Sequence, residues 1–211
     1  MKRAALFIGL PVLAGGLFWQ FPLFHVVPFA DQRASQYEAA FDAAQFAETF
    51  WSERLVPSLC DAPDARAVLA AFDKDPQVAR NTLGRKFGIG RARLFLLRGS
   101  GTVVDIDRNR IGVALQAGTA EPDVMLHTGL LFGNAVRDAS GLLDPSDFSN
   151  SQYFNDISTE LNRLVEARVI PKAKEICLPG RTIHFAGCAE ISDDEHHFRP
   201  LKLIILDVGL E

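Results

Sequence analysis

The stretch DDEHHF, residues 193–198, gathers three carboxylates and two imidazoles, the donor types that hold a transition metal and activate water on it. Chemistry of that kind would make the chain a metal-dependent hydrolase using Asp193, Asp194, His196 and His197. Neighbouring residues on one loop seldom converge on one ion, however, and no distant set of ligands accompanies them. The stretch therefore reads as a solvated turn in a hairpin, and no metal or other cofactor is expected. A second group lies in GNAVRDASG, residues 133–141, where Arg137 and Asp138 are adjacent. An arginine there can clamp a carboxylate or phosphate, or pair internally and tie the loop down. DFSNSQYF, residues 147–154, adds Asn150 and Gln152, which can cap backbone or touch a ligand. Arg137, Asp138, Asn150 and Gln152 are taken as candidate ligand-binding or partner-binding residues.

No catalytic residue is assigned and no enzyme is expected. There is no G-x-S-x-G, and the serines near His127 and His184 belong to no motif that fixes a geometry. GRKFGIG, residues 84–90, lacks both a preceding strand and a following Lys-Ser or Lys-Thr, so it is not a phosphate-cradling loop. His184 alternates with Ile183 and Phe185 on a strand and is expected on the solvent face. Cys60, Cys177 and Cys188 form no metal-like spacing and are too few for a disulfide scaffold. A bridge between Cys177 and Cys188 and two buried thiols both remain open.

These residues must be positioned by the surrounding elements, and the first of those is apolar. Residues 4–27 carry no charge and as a helix would reach roughly 36 Å, enough to cross a bilayer core. Pro11 and Pro22 interrupt that helix, which membrane spans tolerate better than soluble helices do. Lys2 and Arg3 precede the span and are expected to stay in the cytoplasm, which sends the remainder outward. The reading is an uncleaved signal-anchor, a single pass through the inner membrane with the C-terminal domain in the periplasm.

FDAAQFAETFWSERLVPSL, residues 41–59, reads as an amphipathic helix with Asp42 as its cap and Pro57 as its end or kink. Its aromatic stripe, Phe46, Phe50 and Trp51, is expected to be core. Further helices are expected after Asp64 and after Asp75-Pro76. Beyond residue 90 the texture changes to short apolar runs separated by Gly, Asn and Asp. RARLFLLRG and GTVVDID read as strand, with Gly99 and Gly101 placed where a bulge would bend it, followed by RIGVALQ and PDVMLHTG. NDISTELNRLVEARVI then reads as a helix burying Ile157, Leu161, Leu164 and Val165 and stopped by Pro171. GRTIHFAGCAEI and PLKLIILDVGL finish as strands.

Three strands, a helix and two strands is the order of an OB-type barrel. The expected fold is α+β, with a membrane segment at 1–30, a helical segment at 31–85 and a five-stranded OB-like β-barrel at 86–211 carrying its helix between strands three and four. A net charge of -4 and a pI near 5.7 argue against nucleic acid as partner. GRKFGIGRAR, residues 84–93, is the one basic run, and it reads as a solvated hinge.

An apolar start running into VVP, then FDAAQF, GLLFGNAVRDASG, DFSNSQYF, the Leu161-Asn162 pair, GRTIHFAG and LIILDVGLE together resemble a bacterial family of predicted periplasmic lipoproteins of unknown function. Members of that family are often associated with sugar ABC transport systems. The resemblance implies an exported accessory protein whose partner is a transporter permease or solute-binding protein. Its positions here are Gly129, Gly133, Arg137, Asp138, Phe148, Asn150, Gln152 and Asn162. The chain departs from the family in two places. Gly16 follows Leu-Ala-Gly where a lipid-bearing cysteine is due, and no cysteine stands before HVVP, so the apolar helix becomes the expected anchor. SDDEHH is also longer than the usual hairpin. The expected function is a non-enzymatic, membrane-tethered accessory of solute uptake, with the metal-dependent hydrolase and a small-ligand or oligosaccharide-binding OB-type module as alternatives.

Overall fold

The computed structural model describes residues 41–211 apart from 89–90, 194 and 196. The expected membrane segment lies outside the described residues. Helix α1 (Ala43–Phe50) starts where the Asp42 carboxylate accepts the Gln45 N–H at 2.9 Å, satisfying a backbone donor that the helix itself leaves free. Asp64 caps α2 (Ala65–Lys74) through the Arg66 N–H, and Asp75 caps α3 (Pro76–Leu83) through Gln77 and Val78. Of the aromatic stripe, Phe50 and Trp51 are buried core as the spacing predicts, while Phe46 is half-buried.

Pro57 falls where the helix departs from regular α geometry, one of the two outcomes expected of it, whereas Pro171 does not stop its helix as the sequence reading expects. A π turn, Trp51–Leu55, precedes Pro57, and a second, Val165–Val169, precedes Pro171. In each, the next N–H reaches back five residues, from Val56 to Trp51 O and from Ile170 to Val165 O. The widened turn makes room for the pyrrolidine ring and absorbs the missing donor, so helical chain continues past both prolines.

The strands follow the expected order. β1 (Arg85–Lys86) is a two-residue addition to the five expected. β2 (Arg93–Asp107), β3 (Arg110–Ala114) and β4 (Val124–His127) form an antiparallel meander. After the single turn α4 (Ala135–Asp138), helix α5 (Ser151–Leu164), the π turn and α6 (Ile170–Ile176) cross over to β5 (Thr182–Ile191) and β6 (Leu201–Leu210). β6 lies parallel to β4 and antiparallel to β5, and β5 pairs with β2 from Arg93 to Thr102. The pairings therefore return to their starting strand, β2-β3-β4-β6-β5-β2, a closed circuit.

The expected bulge in β2 is displaced. The register shift against β3 falls between Val103 and Asp105, while Gly99 and Gly101 serve close approach. A Cβ at Gly99 would stand 2.9 Å from the Phe185 ring, and one at Gly101 would collide with the Ala114 carbonyl oxygen. Ile111, Val113, Val124, Leu126, Leu201 and Leu203 face one another in register and are all buried, forming the inside of the circuit.

Asp42–Glu211 forms one compact unit, so the boundary drawn between 31–85 and 86–211 marks a change from helices to strands inside it. Arginines join the two parts. Arg66 donates to Leu115 O and Ser100 O, both at 2.9 Å, Arg98 to Ala62 O at 3.0 Å and Arg54 to Leu142 O at 2.6 Å.

Closure depends on a bare Cα at residue 101. Gly101→Ala is expected to lower the unfolding free energy by about 1–3 kcal/mol, because the new methyl group meets backbone that cannot yield. Gly118→Ala, at a φ of 83° with open space around it, tests backbone strain alone and is expected to cost less. Urea denaturation of the two variants checks the ranking, and an equal loss would remove close approach as the reason for Gly101.

Candidate functional site

Strand alternation that buries Leu126 and Leu203 turns Met125, His127, Lys202 and Ile204 outward, in register as Met125 with Lys202 and His127 with Ile204. Arg110 pairs with His127 and extends this outer face onto β3. Together with Glu190, Pro200 and Phe132 these residues line a groove of about 340 Å³ with an apolar floor and a charged rim. Arg110 is held at 2.8 Å by Asp107, its neighbour across the β2–β3 turn.

The chain leaving β4 makes the groove's overhang. In the 128–134 loop Leu130 is 72% exposed and Phe132 81%, two large apolar side chains presented to solvent within three residues. The loop is nevertheless fastened. Glu166 accepts the Leu131 N–H at 2.6 Å, the Asn162 amide donates to Gly133 O at 3.0 Å, and His127 Nε2 stands 3.1 Å from Leu130 O. Gly133 has a φ of 83°, a left-handed turn that only glycine adopts without strain. On its other side the loop faces α5 across a second cleft of about 520 Å³.

The four residues singled out from sequence fall into a buried pair, Arg137 with Asp138, and two exposed residues at the start of α5, Asn150 and Gln152. Arg137 and Asp138 are 2% and 4% exposed and face each other: Nε to Oδ1 at 2.5 Å and Nη2 to Oδ2 at 2.9 Å. The remaining guanidinium nitrogen donates to Phe154 O at 2.7 Å, and the cation lies 3.5 Å from the Phe154 ring centre and 5.8 Å from that of Phe87. Of the two roles open to this arginine, the geometry matches the internal pair. Asn150 is the cap of α5, accepting the Gln152 N–H at 2.8 Å, and Gln152 donates to Asp156 one turn on. Both are exposed.

The acidic, histidine-bearing hairpin is organised from beneath by a residue the sequence reading passed over. Buried Arg80 on α3 donates to the carbonyls of Ser192 and Glu195 at 3.0 Å and Asp193 at 3.3 Å. Phe198 packs on Phe72 at 4.4 Å between ring centres. Asp194 and His196 lie outside the described residues, and among the described residues no group of three or more His, Cys, Asp or Glu could hold a metal. Cys177 and Cys188 are free and buried, while Cys60 is free and exposed. Burial pushes the Cys177 thiol up to about 11 and that of Cys188 to about 12. His184 is exposed, as its alternation predicts.

With this geometry in hand, comparison with known proteins is informative. The family described as "Predicted periplasmic lipoprotein (DUF2291)" matches residues 14–206. The chain belongs to that family. No curated protein matches the chain. Among solved structures it is similar to an OB-fold protein from Thermotoga maritima MSB8, at 24% identity and a TM-score of 0.72, over 81% of this chain and 99% of that one. The likeness shows an OB fold, in which the strand circuit, the parallel β4–β6 pair and the crossover helix take the expected places. Neither comparison carries an enzymatic indication.

For this DUF2291 chain, the outer groove and the 128–134 loop are what sequence reasoning missed as a site. In sequence GLLFG carries only its resemblance to the family. Two glycines bracketing an apolar triplet are the available signal, but exposed and buried apolar residues look alike in sequence.

The Arg137–Asp138 pair yields a stability test. Arg137→Met strands a buried carboxylate and is expected to cost about 3–5 kcal/mol in urea denaturation, whereas Arg137→Met combined with Asp138→Leu removes both charges and is expected to cost less. A folded Arg137→Met of undiminished stability would contradict the structural role.

The thiols give a second test. A maleimide is expected to label Cys60 alone in the native protein and all three after unfolding. Because Cys188 stays protonated when folded, its contribution is complete below the unfolded thiol's ordinary value of 9.0 and is lost as pH rises toward 12. Within that window Cys188 is expected to lower stability by about 1.4 kcal/mol per pH unit, Cys177 adds a like slope up to about 11, and Cys188→Ala should remove the Cys188 share alone.

Proposed function

We propose that this chain is a non-catalytic, membrane-tethered accessory protein of the periplasm that assists uptake of a sugar or other solute by contacting a transporter permease or solute-binding protein. The observation that carries the reading is the exposure of Leu130 and Phe132 on a fastened loop. Apolar side chains held out to water beside an apolar groove with a charged rim have the make-up of a protein contact site: anchors at the centre and polar groups around them.

Tethering rests on sequence. Residues 4–27 are free of charge, Lys2 and Arg3 favour retention of the start in the cytoplasm, and the periplasmic family supports the outward side. Among the described residues no helix is long and apolar enough to cross a membrane, and the proposed span precedes them.

The test is purification of tagged full-length protein from gently solubilised native membranes, with mass spectrometry of what accompanies it. A permease or solute-binding protein is expected above a control bait. Leu130→Ser with Phe132→Ser should lower its recovery by at least about tenfold, equivalent to about 1.4 kcal/mol, without changing the melting temperature. Recovery unchanged by the double substitution would remove the loop as the contact, and purification without any transport component would remove the accessory role.

A further inference from the structure

The cleft on the far side of the 128–134 loop has a different chemistry from the groove. Its wall is the stripe Asn155, Ser158, Thr159, Asn162, Arg163 and Glu166, residues spaced three and four apart and therefore on one face of α5 and its continuation. Ser158 is 4% exposed and Asn162 8%, and neither Ser158 Oγ nor Asn162 Oδ1 has a hydrogen-bond partner. Buried polar atoms are ordinarily satisfied, so two orphans on one helical face beside one cleft call for an explanation. The charges at the cleft are already engaged: Arg163 with Glu160 at 2.7 Å, and Glu166 with the Leu131 N–H at 2.6 Å.

We infer that this cleft binds a neutral polyhydroxylated molecule, the chemistry of sugars and sugar alcohols. Asn162 Oδ1 requires a donor, and Ser158 Oγ both gives and accepts, a combination that one hydroxyl-rich ligand satisfies at both atoms. An anion is disfavoured here, because the lining's cation, Arg163, is paired with Glu160 and the Glu166 carboxylate stands in the same wall. An extended peptide finds no strand edge, because the wall is a helix and a loop. The exposed Phe132 ring offers a flat apolar face for the C–H side of a sugar ring. A volume of about 520 Å³ is in the range of small-molecule pockets.

The orphan atoms lie under the cleft wall, sealed from bulk water. Reaching them requires Asn162 to turn, and the amide nitrogen of the same side chain holds Gly133 O at 3.0 Å. Ligand binding thus acts on the fastening of the loop that presents Leu130 and Phe132. The site shares that loop with the contact surface proposed above but needs no partner, and its test uses the purified chain alone.

The experiment is ligand-observed saturation-transfer NMR with calorimetry on the full-length protein, in a detergent without a sugar headgroup. The probes are D-glucose, D-galactose, D-ribose, myo-inositol and maltotriose, with cyclohexanol and inorganic phosphate as controls. At least one polyol is expected to bind with a Kd of about 1 mM or tighter, and cyclohexanol and phosphate are not. Ser158→Ala removes only an unpartnered hydroxyl, so it should keep or raise the melting temperature while weakening binding at least tenfold. Phe132→Ala should weaken it as well. Maltotriose bound more tightly than glucose assigns the site to a glycan end, whereas equal or weaker binding assigns it to the free sugar. Binding by none of the polyols, preference for phosphate, or a Ser158→Ala variant that binds unchanged would each overturn the inference.

Discussion

The pairing of β2 with β5 is the constraint from which the other features follow. β2 is long enough to hold β5 along Arg93–Thr102 and β3 along Thr102–Asp107, changing partners where Gly101 lets the Ala114 backbone approach. Without that double engagement, β3, β4, β6 and β5 would be an open sheet with two edges and a half-covered core. With it, six inward residues on β3, β4 and β6 meet in one interior. Closure also requires β6 to run parallel to β4, and a parallel pair needs a long crossover. The crossover is α5 and its continuation, which is why a polar helical stripe comes to stand beside the loop leaving β4.

Besides buried apolar contacts such as Phe72 with Phe95, the helical part is joined to the rest of the chain by arginine–carbonyl hydrogen bonds. Arg54, Arg66, Arg80 and Arg98 each span the seam in this way. At a seam between helices and turns, carbonyls face the gap with no ladder partner, and a planar fork on a long apolar stem reaches them while covering apolar surface. Hydrogen bonds to a charged donor contribute about 1.5–3 kcal/mol each net of the water they exchange, so the seam adds stability as well as fixing geometry. Arg137 is different. Its partner is the adjacent carboxylate and its surroundings are aromatic, so it holds together the turn after the 128–134 loop and the start of α5.

The fold was legible because its signals are local. The caps Asp42, Asp64, Asp75 and Asn150 precede helices as residue type predicts, and period-two alternation marks the strands. Pro171 does not end its helix because the relief is a backbone adjustment upstream, the π turn, which no residue type announces. The candidate site was legible only in part. Arg137 and Asp138 stand out in sequence because they are charged, and they are buried for the same reason that they are adjacent: each satisfies the other. Leu130, Phe132 and Asn162 belong to the site through topology, since β4 and α5 are brought together by the crossover, and apolar or amide residues carry no mark of which surface they will line.

The fastening of the 128–134 loop changes what its exposed apolar side chains mean. Leaving Leu130 and Phe132 in water forgoes about 1.5–3 kcal/mol for each side chain relative to burial, a sizeable part of a domain's net stability. A slack loop would fold those side chains back over the neighbouring groove. Here Asn162 on α5 and Glu166 on the π turn that continues it hold the loop backbone and Gly133 sets its turn, so the side chains stay out. Binding to such a loop orders little that is not already ordered, and more of the apolar burial then appears as affinity. The same two anchors lie on the polar stripe of α5 and its continuation, so the two clefts are bounded by a single hydrogen-bonded backbone segment.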